Sequence, residues 1–240
     1  MTSRRRRGRS IASVLGIVAI AEVALIRLGL TYGSTAQERE TSLPGDDVVA
    51  RPKVVTNHAI DIDAPAACVW PWLVQMGWHR GGWYTARWVD RLLFPANWPS
   101  ANRIVAELQD IHIGSFIPDG PPETECGLIV VGLDPERSLV LHSNSHLPAS
   151  WRKRHNAALD WSWAFVLVPL DDGRRTRFIF RSRWTTAPWW FTLGGRLVVV
   201  PADFVMSRDM LHGVKSRAET LARGVESTTH TSIVTGSETT

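Results

Sequence analysis

The alternation of apolar and polar residues is clearest between positions 159 and 184. Leu159, Trp161, Trp163, Phe165 and Leu167 share one phase of a two-residue period, the spacing of a strand with one buried face. Asp171-Asp172-Gly173 then reads as a hairpin turn. Beyond it Thr176, Phe178, Phe180, Ser182 and Trp184 occupy one face of a second strand, and Arg175, Arg177, Arg181 and Arg183 the other. One buried face and one wet face is the pattern of an antiparallel sheet. The arginine face is expected to be solvated, with contact to an anionic surface as the alternative.

Weaker signals extend this picture. Residues 54–62 alternate as a strand with His58, Ile60 and Ile62 on one face. Asp63 stands where a helix cap belongs, ahead of a helix over 66–76 that carries Val69, Trp70, Leu73 and Met76. Pro71 lies inside it and removes one backbone donor; Gly77 ends it. A short helix is predicted over 84–93, and strands over 112–117, 126–133 and 138–143. From Pro201 to Arg223, Phe204, Leu211 and Ala218 recur every seven residues, as do Val214 and Leu221, with Met210 beside them. That is the apolar stripe of a long amphipathic helix. The predicted class is α+β: a curved antiparallel sheet wrapped around one long C-terminal helix, the helix-grip arrangement, with a cavity expected between the two layers. Domain boundaries are expected at 54 and 224, with a linker over 32–53 and a disordered tail over 225–240.

Residues 11–31 are largely apolar, long enough for a membrane span, but interrupted by Glu22 and Arg27. Arg4, Arg5, Arg6, Arg7 and Arg9 precede them as a basic tail over 1–10. By the positive-inside rule this places the N-terminus in the cytoplasm and the domain outside, on a single-pass anchor. A cleaved signal and a peripheral helix are the alternatives. The net charge of +4 is carried by those five arginines, so the rest of the chain is near neutral and nucleic-acid binding is not indicated. Trp151, Arg152, Lys153 and Arg154 join an aromatic to three positive charges and offer a second membrane contact.

The chain holds 12 tryptophans, which implies a large aromatic core, an aromatic cavity, or both. Gly81-Gly82-Trp83-Tyr84 reads either as a pocket rim or as a corner packed by aromatics. Glu107, in the polar group Arg103, Glu107, Gln109 and Asp110, and His79 are the candidate acid/base residues. His58 reads as a hydrogen-bonded core histidine. His142 and His146 lack a third ligand, so no metal is expected, and nothing calls for a cofactor. Cys68 and Cys126 are either one disulfide or two buried small residues. No nucleophile motif, phosphate loop or zinc signature is present.

Several strings resemble the START-like, or SRPBCC, superfamily, which includes polyketide cyclases and aromatases, lipid-transfer START domains and the birch-pollen allergen. They are YGSTAQERETSLPGDD (32–47), VWPWLVQMGWHRGGWYT (69–85), RIVAELQDIHIGSFIPDGP (103–121), WAFVLVPLDDGRRTRF (163–178) and PADFVMSRDMLHGVKSRAE (201–219). The nearer resemblance is to a bacterial, membrane-associated subgroup without a settled activity. Ser115 stands where that group tends to have an acidic residue, and residues 143–157 form a longer loop than expected. The helix-grip order, the aromatic inner faces and the N-terminal anchor together point to a non-enzymatic, membrane-tethered binder of an apolar small molecule or lipid. Candidate contacts are Trp83, Tyr84, Trp88 and Arg103, then Trp161, Trp163, Phe165, Phe178, Phe180 and Phe204. A cyclase, aromatase or isomerase acting in the same cavity is the alternative, and an envelope interaction module without a ligand is a third reading.

Overall fold

A computed structural model describes residues 2–93, 95 and 99–236. The side chains of the N-terminal arginine block fall outside the described residues, as do residues 237–240 of the expected tail. In chain order the strands are β1 (Val54–Ile62), β2 (Phe116–Pro118), β3 (Gly127–Asp134), β4 (Ser138–Ser143), β5 (Ala158–Leu170) and β6 (Arg175–Ala187). The helices are α1 (Thr2–Thr31), α2 (Ala36–Glu40), α3 (Ala66–Val74), α4 (Arg87–Leu93), α5 (Ala149–His155), α6 (Trp189–Gly194) and α7 (Val200–Gly236). A π-helical turn, Gly195–Val199, joins α6 to α7.

The strands form one sheet of order β1-β6-β5-β4-β3-β2, every neighbour antiparallel. β5 and β6 pair along their full length with Phe165 opposite Phe180. The inward phase read from the sequence is the buried one: Trp163, Phe165, Leu167, Phe178 and Phe180 lie in the core. Met210, Leu211, Val214 and Ala218 of α7 close over them. Burial of this apolar surface, at roughly 25 cal/mol per Å², is what holds helix to sheet.

Local differences from the sequence expectation have local causes. Helix α3 begins after Pro65, which makes no side-chain cap, so Asp63 is not its cap; Asp63 instead meets Arg175 at 2.7 Å. Helix α4 begins at Arg87 rather than 84 because Tyr84 holds a left-handed φ of 59°. The loop over 143–157 contains α5. Helix α7 continues to Gly236, across much of the segment expected as a tail.

Residues 33–53 cross the outer face of the sheet as a strap. Gly33 forms a bridge to His58, with φ at 67° and a virtual Cβ only 2.1 Å from the Ala59 carbonyl oxygen, so no side chain fits there. Thr35 and Glu38 make a reciprocal cap for α2. Glu38 then accepts from Arg177 Nε at 2.7 Å, and Asp61 from Arg177 Nη1 at 3.0 Å. Asp46 accepts from Arg181 Nη1 at 2.7 Å and Arg183 Nη1 at 3.2 Å. Arg181 is only 2% exposed and also donates to Asn57 Oδ1 and the Glu38 and Thr41 carbonyls. Arg177, Arg181 and Arg183 are therefore covered rather than solvated, while Arg175 stays partly exposed at the start of β6. The Arg177 hydrogen bond is the main reason the Glu38 carboxyl sits at about 2.

Helix α1 docks by its C-terminal end. Gly29 lies against Val200, and His58 Nε2 donates to the Gly29 carbonyl at 2.7 Å. Burial holds the His58 ring below its ordinary range, so it is the neutral core histidine expected. Ile17, Val18, Ile20 and Val23 of α1 are exposed. Among the described residues no helix is long and apolar enough to cross a membrane.

Candidate functional site

An apolar cavity of about 180 Å³ lies between the sheet and the helical run from α6 to α7. Leu159 and Trp161 of β5 and Thr56 of β1 line its floor with Ser182, Trp184 and Thr186 of β6. Its roof is Phe191, Gly195, Val199, Val200 and Asp203; His146 and Leu147 close one side. The π turn shapes this roof. A Cβ on Gly195 would stand 2.6 Å from Trp184 Cη2, so the absence of a side chain lets the indole lie against the helix. An inserted π turn of this kind is a recurrent feature of functional sites.

Five polar side chains interrupt the apolar wall. Ser182 Oγ accepts from Trp161 Nε1 at 2.7 Å, and the Thr186 and Thr192 hydroxyls pair at 2.7 Å. Thr56 Oγ1 is different: the residue is 1% exposed, and among the described residues this buried hydroxyl has no hydrogen-bond partner. A buried hydroxyl left unpaired is destabilising by roughly 1–3 kcal/mol, so its position on a cavity wall points to a group that completes it.

His146 contacts Ser143 Oγ through Nδ1 at 2.7 Å and Asp119 Oδ2 through Nε2 at 2.9 Å, and its ring stands edge-on to Trp161. Burial alone pushes this imidazole down. The Asp119 hydrogen bond, with that of Cys126, outweighs burial and brings it to about 9. At neutral pH His146 is thus a cation donating to both partners. Burial around the Asp203 carboxyl pushes it up to about 6; the Ser207 bond opposes this and the nearby Asp119 charge adds to it. The cavity therefore holds a fixed cation paired outward and a carboxyl that titrates near neutrality.

Of the residues proposed from the sequence, Trp161 lines this cavity. Trp163, Phe165, Phe178 and Phe180 pack as filled core. Phe204 lies against the Tyr32 and His58 rings. Trp83 and Tyr84 are buried in a corner: the Tyr84 hydroxyl donates to the Trp72 carbonyl at 2.8 Å, and Arg80 donates to the carbonyls of Val74, Met76 and Leu108. Of the two readings of the 81–84 string, the aromatic-packed corner is the one observed. Trp88 is exposed on α4. Arg103 lines a separate groove of about 890 Å³ with Trp72, Arg217 and Leu221. Glu107 sits on an exposed 3₁₀ turn. His79 stacks on Trp78 at 3.6 Å and lines a hollow of about 360 Å³ beside Cys126. Cys68 and Cys126 are part-buried and form no disulfide with each other. His142 pairs with Asp160 at 2.6 Å.

Thr56, Ser182, Trp184, Phe191, Gly195 and Asp203 are site residues that the sequence did not single out as such. Ser182 and Trp184 were readable as inward positions of β6. Phe191 and Gly195 lie in a segment without a polar face, and Asp203 sits beside the apolar stripe of α7.

No family model matches the chain, and no curated protein matches it. Among solved structures it is similar to norcoclaurine synthase of Thalictrum flavum, at 13% identity over 71% of this chain and 93% of that one, with a TM-score of 0.35. It is similar to a polyketide-cyclase-like protein of Corynebacterium glutamicum at 14% identity, over 72% and 91%, with a TM-score of 0.30. A conserved protein of Geobacillus kaustophilus matches at 11% identity, over 70% and 96%, with a TM-score of 0.38. The antiparallel order of six strands, with the long helix α7 laid across their inner face, makes this a curved-sheet α+β domain of helix-grip form.

Proposed function

We propose that the protein binds a small, largely apolar molecule with one polar end in the cavity beneath the α6–α7 run. The unpartnered Thr56 hydroxyl in a largely apolar wall carries this reading. Size supports it: cavities of roughly 150 Å³ hold benzene, and this one is about 180 Å³. A single ring or short chain fits, whereas a diacyl lipid exceeds the volume. Trp161, Trp184 and Phe191 supply flat apolar surface, and Thr56 and Asp203 supply the polar end.

The test is saturation-transfer NMR with p-cresol, one ring with one hydroxyl, against a four-ring phenol as the oversized control. Transfer to p-cresol that is lost in Thr56→Val, with none to the larger probe, is the expected result. No transfer to p-cresol at millimolar concentration overturns the reading.

Asp203 favours a second reading, acid–base chemistry in the same cavity. A carboxyl titrating at about 6 is matched to proton abstraction near neutral pH. That reading moves the candidate base from Glu107 or His79 to Asp203. It expects the protein to exchange the α-protons of phenylacetone in D2O, and expects Asp203→Asn to abolish the exchange. Unaccelerated exchange with the wild-type protein would leave binding alone.

A further inference from the structure

We propose that the outer face of the α5–α6 corner is a docking surface for an anionic lipid bilayer. Trp189 is 72% exposed and Val198 68% exposed, and Trp151, Trp190, Leu193 and Leu197 are exposed with them. Isolated exposed apolar residues are ordinary; a contiguous set on one helical run is not. Ring contacts weld the two helices into one surface. Trp151 meets Phe191 at 5.7 Å and His155 meets Trp190 at 5.7 Å.

Charge identifies the occupant. Arg152, Lys153 and Arg154 on α5 and Arg196 on the π turn border the apolar patch and are exposed. Neither residues 144–159 nor residues 185–202 contain an aspartate or glutamate. Tryptophans beside fixed cations, with no carboxylate among them, match the headgroup region of an anionic bilayer. A second copy of the chain would instead set four positive charges against four more. The helical run that presents Leu193 and Val198 outward presents Phe191 and Gly195 to the cavity, so docking would bring the cavity roof to the lipid. α1 ends at the same corner, with Gly29 against Val200.

Docking is independent of whether the cavity is occupied, so the test uses no cavity ligand. The full-length chain is sedimented with vesicles of phosphatidylcholine alone or mixed with phosphatidylglycerol. The exposed apolar side of α1 is a second route to lipid, so the readout must be local to the patch. Tryptophan quenching by brominated lipid supplies it. Binding to the anionic vesicles is expected, together with quenching that is largely lost in the triple variant Trp151→Phe, Trp189→Phe, Trp190→Phe. Replacing Arg152, Lys153 and Arg154 by Glu should lower partitioning by at least about a hundredfold, with circular dichroism unchanged. Quenching that survives the tryptophan changes, or partitioning indifferent to charge reversal, overturns the proposal. So does a concentration-dependent dimer that ignores vesicles.

Discussion

Replacing Asp46 by Asn removes one negative charge from beneath two arginines while keeping the shape of the strap. Asp46 accepts from Arg181 at 2.7 Å, from Arg183 at 3.2 Å and from the Leu43 amide at 3.0 Å. Two unit charges about 4 Å apart attract by about 4 kcal/mol at an effective dielectric near 20. Breaking a buried pair by removing one partner is destabilising by about 3–5 kcal/mol. Arg181 keeps three other acceptors, the Asn57 side chain and the Glu38 and Thr41 carbonyls, which recover part of that. A loss of about 2–3 kcal/mol follows, and at about 2–4 °C per kcal/mol for a domain of this size the melting temperature should fall by about 4–12 °C. Urea unfolding at pH 7, followed by tryptophan fluorescence, measures it. Asp47→Asn is the control, since Asp47 is exposed on the same strap. The pair is buried, so the deficit should persist at about 0.5 M salt. A deficit below about 0.5 kcal/mol, or one shared by Asp47→Asn, would refute the claim that the strap neutralises buried arginines.

Thr56→Val should separate stability from function: deleting an unpaired buried hydroxyl should stabilise the fold by about 1 kcal/mol, yet weaken binding of p-cresol. Gly195→Ala should drive Trp184 off the helix, destabilise by about 1–3 kcal/mol and shift the Trp184 fluorescence or indole NMR signal; an unmoved signal would contradict the packing. Stability should also vary with pH on two limbs. The Glu38 carboxyl is depressed from 4.5 to about 2, so its contribution is present above 4.5 and lost as pH falls toward 2. The His146 imidazole is raised from 6.5 to about 9, so its contribution is full below 6.5 and lost as pH rises toward 9. Urea midpoints across this range check both limbs, and Glu38→Gln and His146→Gln should each flatten one.

What the sequence disclosed and what it hid follow from how each part is held. β5, β6 and α7 bury one apolar face each, so their periods of two and seven residues expose both the elements and their inward sides. The strap is held by Glu38, Asp46 and backbone carbonyls reaching arginines far along the chain, and such polar pairing leaves no periodicity. Its segment therefore reads as a linker, and the arginines as solvated. The α6–π run, WWFTLGGRLVV, is apolar on both sides, one toward the cavity and one toward the exterior, so no amphipathic pattern marks it. The aromatics gathered from β5 and β6 are real interior residues, but they fill the core. The empty space lies at the end of the sheet where Trp161 and Trp184 give way to Gly195. His146 is visible as a histidine near His142, while its role depends on Asp119 and Cys126, which only the fold brings to it.

The most direct test of a functional cavity is a crystal of the protein soaked in p-cresol. Density for one ring is expected between Trp184 and Phe191, with its hydroxyl within hydrogen-bond distance of Thr56 Oγ1 and turned toward Asp203. A cavity that stays empty at saturating p-cresol, or a ring bound instead in the groove beside Arg103, would contradict it.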